Sequence, residues 1–190
     1  GCTKQGVCGK DPTLAKELDN LVFECQELAT LNHQLRLHKQ DDLQASRMIT
    51  EALFTTITNS NFDKESVKTK IQYIRDKKHE LKTRAHENNI PLHNLKLTFL
   101  PPILGQSSIL TEQDQDIRSL KQLIIYGLKG VAAYTSHAQR LGYEDNAIYS
   151  NLEEALSFTR KKETTKEQLL NWVKGVGELG IKAMNLLDKA

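Results

Sequence analysis

Apolar residues recur along this chain every three or four positions, the period of a helix with one buried face. The first run opens at Asp11-Pro12, a capping residue followed by proline in the first turn, and sets Leu14, Leu18, Leu21, Val22, Cys25, Leu28, Leu31 and Leu35 on one stripe. A second helix is predicted from about Asp42 to Thr58, with Leu43, Ile49, Leu53 and Ile57 inward, and "TNSNFD" ends it. A third, capped by Asp63, carries Val67, Ile71, Ile74, Leu81 and Ala85. The period then breaks. The stretch "NNIPLHNLKLTFLPPILGQSSILTEQ" holds three of the four prolines and is too long for a turn inside a bundle. A short strand is expected there, around Leu95–Leu100.

The helical rhythm resumes at Asp114 and runs to Leu141, with Ile117, Leu120, Ile124, Leu128, Val131 and Ala138 inward and Gly142 as the stop. A fifth helix starts near Asp145 and carries Ile148, Leu152 and Leu156. A sixth starts after Thr164 or Thr165, with Gln168 placed for a capping box and Leu169, Val173, Val176, Ala183, Met184 and Leu187 inward. The expected fold is therefore all-α. A cysteine-containing loop at 1–11 precedes a first three-helix bundle at 12–88. A long Pro-containing connector at 89–112 leads to a second three-helix bundle at 113–190.

Composition narrows the partners. The chain has 190 residues, ample for a core, with 38% hydrophobic and 26% charged residues, as in an ordinary globular protein. The net charge is only +2, and the basic runs "RDKKHELKTR" and "RKKETTKE" are interleaved with acids. They read as solvated helix faces, so no nucleic-acid partner is expected. No apolar run is long enough to cross a bilayer, so no membrane partner is expected. Three cysteines are too few, and odd in number, for a secreted disulfide framework. A cytoplasmic location is the expectation, and there two close thiols point to metal or redox chemistry.

Most motif candidates have a plainer explanation. "GVGELG" (Gly175 to Gly180) matches a dinucleotide fingerprint, but helical period runs through it, where the fingerprint needs a strand before it. Gly127, Gly130, Gly175, Gly177 and Gly180 are read instead as places where helices approach closely. The six histidines show no paired spacing for a metal. Cys25 lies on the apolar stripe of the first helix and is assigned to the core. Glu153 and Glu154 are placed on a polar helix face, and no acid–base pair stands out.

That leaves "GCTKQGVCGK", in which Cys2 and Cys8 are separated by five residues and flanked by glycines. Such a pair is inert, a disulfide, or a metal ligand set. Thiolates select zinc, Cu(I) or iron–sulfur clusters, and flanking glycines let backbone amides turn toward sulfur. A four-thiolate site needs more cysteines than this loop has. The chain opens on Gly1 without an initiator methionine, and the expectation is that it is cut just upstream of Cys2.

At these residues the chain resembles the hybrid cluster protein family, also called prismane proteins or hydroxylamine reductases. "GCTKQGVCGK" is similar to the second half of that family's N-terminal cysteine motif. "ALFTTITNSNFD" (Ala52 to Asp63), "DIRSLKQLIIYGLKGVAAYTSHAQRLGYEDNAIY" (Asp116 to Tyr149) and the ending "AMNLLDKA" also resemble it. The resemblance implies one N-terminal domain of a larger protein, built of two three-helix bundles. It implies that Cys2 and Cys8 are cofactor-binding metal ligands of a [4Fe–4S] electron-relay cluster, with two further cysteines upstream. It also implies a hybrid iron–sulfur–oxygen cluster in later domains, so that this segment alone holds no catalytic residue. The whole protein would reduce hydroxylamine to ammonia, or nitric oxide to nitrous oxide. Its partners would be its own remaining domains, an electron-donor protein and a small nitrogen-oxide substrate. The alternative is a metal-free helical interaction module with incidental cysteines.

Overall fold

Each helix starts at a residue whose side chain can accept from the free N–H groups of a first turn. The computed structural model describes residues 4–5, 7–58, 63–99 and 112–190. Among these are six α-helices: α1 (Pro12–Leu37), α2 (Leu43–Thr55), α3 (Lys64–Glu87), α4 (Gln115–Arg140), α5 (Asn146–Phe158) and α6 (Lys166–Asp188). Their N-caps are Asp11, Asp42, Asp63, Asp114, Asp145 and Thr165, each accepting a backbone N–H. Thr165 and Gln168 complete the reciprocal capping box. Gly142, at φ +87°, ends α4 in the left-handed region, and the Tyr143 N–H returns to the Ala138 carbonyl at 3.0 Å. Lys39 and Asn89 take the same conformation after α1 and α3 without being glycine.

The described residues contain no strand. Leu95 closes a 3-10 turn, His93–Leu95, and Lys96 follows at φ +47°, which breaks the extended run a strand needs. The expectation of a strand near Leu95–Leu100 is corrected for residues 95–99; Leu100 lies outside the described residues.

α1 is the central element. α2, α3 and α5 all pack on it, and every residue from Glu24 to Asn32 is buried. α4 packs on α2, α5 and α6, so residues of all six helices share one hydrophobic core. The predicted inward positions hold through the helix middles. They fail at Leu43 and Ile57, 40% and 36% exposed, which sit at and beyond the ends of α2 where the helical period no longer aims them inward. Met184, 50% exposed, is one position round from the buried Ala183. Close helix approach holds at Gly127, where a Cβ would come within 2.7 Å of Val176 Cγ1. Gly130, Gly175, Gly177 and Gly180 have open space instead.

A helix surrounded on every side buries its polar residues too. Lys78 of α3 is 1% exposed and reaches Glu24 at 2.5 Å and Glu27 at 2.7 Å, both carboxylates being fully buried. Arg160 adds a bond to Glu27 at 2.9 Å, and the Thr98 N–H donates to the same oxygen at 2.9 Å. Burial pushes the Glu24 carboxyl upward in pKa, against the pull of Lys78. Toward the other end of α1, Glu153 of α5 accepts from Asn32 (2.9 Å), Ser46 (2.5 Å) and Arg36 (3.1 Å). The sequence reading of Lys78 and Glu153 as solvated is thus overturned. Polar character alone does not reveal a face that meets opposite charge.

The buried pairing has a measurable consequence. Lys78→Met leaves two carboxylates buried without their ammonium and should cost about 3–5 kcal/mol. Lys68→Met, which removes the exposed Lys68–Glu65 pair from the same helix, should cost less than about 1 kcal/mol. Urea denaturation followed by circular dichroism compares the two. Equal costs would contradict the assignment of Lys78 to the core.

Candidate functional site

The cysteine loop is held at a junction of helix ends. Residues 7–9 form a turn, and Gly9 takes φ +85°, a conformation L side chains rarely adopt. That reversal leaves Cys8 exposed while Lys10, two residues on, is only 8% exposed. The Lys10 ammonium donates to the Thr58 carbonyl at 3.0 Å and lies 3.5 Å from that of Thr56, the C-cap of α2. Asp11 caps α1 by accepting from the Leu14 N–H at 2.8 Å. Its other oxygen meets Lys64, the first residue of α3, at 2.9 Å, and the hydrogen bond from Lys64 holds the carboxyl below its ordinary range. Three helix ends therefore fix the two residues that follow Gly9.

Of the predicted ligands, Cys8 is a free, exposed thiol on this turn. Cys2 lies outside the described residues. Cys25 is fully buried, and burial drives its pKa far up, so it stays a protonated core residue as expected. Among the described residues no group of three or more His, Cys, Asp or Glu is placed to hold a metal ion. Phe54 packs edge-on to His137, and Phe99 lies against His79. Sequence reasoning passed over Lys10 and Lys64. The available signal was a lysine directly after Cys8-Gly9, and one directly after the Asp63 cap.

The donor chemistry of the turn suits a thiophilic metal group. An exposed thiolate is a soft ligand, and a glycine with positive φ beside it frees the neighbouring amides to face sulfur. A groove of about 1480 Å³ lies elsewhere, between α1, α4 and the turn after α5. Two of the cations that line it are engaged: Arg160 with Glu27, and Lys121 with Glu112 at 3.0 Å. The "GVGELG" stretch lies wholly inside α6 and forms no phosphate loop.

Two comparisons with known proteins bear on this arrangement. The model of the Prismane/CO dehydrogenase family matches residues 1–190. The chain is 36% identical to a hydroxylamine reductase of Parabacteroides distasonis, over 100% of this chain and 36% of that protein. It is 40% identical to one from Porphyromonas gingivalis, with the same coverage. It is 31% identical to hydroxylamine reductase 2 of Clostridium acetobutylicum, covering 39% of that protein. The chain thus spans a little over a third of the length of the curated relatives it matches. Among the described residues no helix is long and apolar enough to cross a membrane.

The two described thiols should differ sharply in reactivity. Iodoacetamide on the native chain, with peptide mass spectrometry, should modify Cys8 and leave Cys25 untouched until denaturant is added. Native labelling of Cys25 would contradict its place in the core.

Proposed function

Because this chain belongs to the Prismane/CO dehydrogenase family, we propose that it is the N-terminal iron–sulfur domain of a hybrid cluster protein. Cys2 and Cys8 are two thiolate ligands of a [4Fe–4S] relay cluster, completed by two cysteines upstream. The observation that carries this reading is Cys8 itself: a free thiol presented on a turn anchored to helix ends, in a chain matched throughout by the family. Cys25 is left out of the ligand set, because it lies with the core leucines of α1.

When bound, the cluster supplies one-electron transfer. The protein's part is to hold the ligand sulfur at a fixed place and to set the charge around it. The helices form two bundles of one domain, 12–88 and 113–190, which carry the loop and cover the domains that follow. The longer protein takes electrons from a donor protein in the cytoplasm and reduces hydroxylamine to ammonia, or nitric oxide to nitrous oxide. Hydroxylamine reduction consumes two electrons and two protons, breaks the N–O bond and releases water. The N–O chemistry belongs to the hybrid iron–sulfur–oxygen cluster of the later domains.

In the longer protein, Cys2→Ser and Cys8→Ser should each lose the N-terminal cluster, because serine offers a hard and poorly ionised oxygen in place of a soft thiolate. Cys25→Ser should retain it. Iron content and electron paramagnetic resonance of the three variants check this. Normal cluster signals in both Cys2 and Cys8 variants would overturn the assignment of these two ligands.

A further inference from the structure

A lysine side chain has no reason to leave water unless its ammonium finds acceptors. Lys10 is 8% exposed, and its Nζ sits on the carbonyls of Thr58 and Thr56. The Thr56 carbonyl belongs to the C-cap of α2, where helix geometry leaves acceptors unpaired and the dipole favours a cation, and Thr58 lies two residues beyond it. Thr56 is itself 7% exposed, so the ammonium is seated in the body of the fold. The Gly9 turn separates this anchor from the exposed Cys8 by a single residue. Asp11, next in the chain, is pinned to α1 and α3. On α4, Lys129 also feels the Lys10 charge, which adds to burial in lowering its pKa.

We infer that Lys10 is a positioning residue for the Cys8 ligand: its ammonium, fixed on carbonyls at and just beyond the C-cap of α2, holds the Cys8 turn in place and sets a positive charge two residues along the chain from the ligand cysteine. This rests on the reading of Cys8 as a cluster ligand. A cluster held by thiolates carries net negative charge, and its potential responds to nearby charge and to the hydrogen bonding and exposure of its sulfurs. A fixed ammonium raises that potential, because it favours the reduced, more negative state. A tethered turn also slows ligand dissociation.

The test uses the longer protein, purified without oxygen, carrying Lys10→Met, Lys10→Gln, Lys10→Arg or Cys8→Ser. Two quantities are read: the rate of iron loss to a chelator, and the midpoint potential of the N-terminal cluster from a redox titration followed by electron paramagnetic resonance. Lys10→Met should lose iron several-fold faster and titrate at a more negative potential. Lys10→Arg, which keeps charge and donors, should restore values near those of the parent. Lys10→Gln keeps a donor without charge, so it should still shift the potential; it carries the test if circular dichroism shows that Lys10→Met folds poorly. A parent-like potential in the Met and Gln variants would overturn the inference, whatever happens to thermal stability, since a residue serving only the end of α2 would not move it. A normal cluster in Cys8→Ser would overturn the ligand reading itself, a separate outcome.

Discussion

The burial of α1 on all sides is the constraint from which the rest of this fold follows. A helix with one wet face can leave its glutamates in water. This one cannot, and from Glu24 to Asn32 its polar side chains must be answered by neighbours. Each answer comes from a different element: Lys78 from α3, Arg160 from the turn after α5, Ser46 from α2 and Glu153 from α5. Apolar contacts would tolerate small slips between helices. Charged pairs at hydrogen-bond distance in a dry interior do not, because a displaced partner leaves a desolvated charge behind. The ionic contacts therefore fix how the surrounding helices sit, while the leucines and isoleucines supply most of the favourable burial.

The cysteine turn inherits this rigidity. It rests on the ends of α1, α2 and α3. Lys10 and Asp11 are the points of attachment, one on the acceptor end of α2 and the other on the donor end of α1. The helix ends have unpaired backbone groups of opposite polarity, and the loop uses both. Cys8 remains free on the outer side, so the scaffold and the reactive sulfur are separated by one glycine.

The sequence made the helix starts plain. Asp11, Asp42, Asp63, Asp114, Asp145 and Thr165 are short acceptors before periodic apolar runs, and each is a cap. The stop at Gly142 was equally open to reading. The stop at Lys39 was not, because a lysine enters the left-handed region only when its surroundings compel it. Lys78 and Glu153 escaped for another reason. A charged residue in a helix is assigned to solvent by default, and its burial depends on an opposite charge 51 residues away for Lys78 and Glu27, and 117 for Arg36 and Glu153. Cys8 was visible as a thiol among glycines, yet its role came from resemblance, since one loop holds too few ligands to define a site. The anchoring by Lys10 depends on where α2 ends in space, which no local pattern encodes.

The central claim is that this turn carries a ligand of an iron–sulfur cluster. It is tested most directly by locating iron in crystals of the longer protein grown without oxygen. An anomalous difference map from data collected at the iron absorption edge should place iron within bonding distance of the Cys8 sulfur. A map with iron elsewhere in the molecule and none at Cys8 would contradict the account.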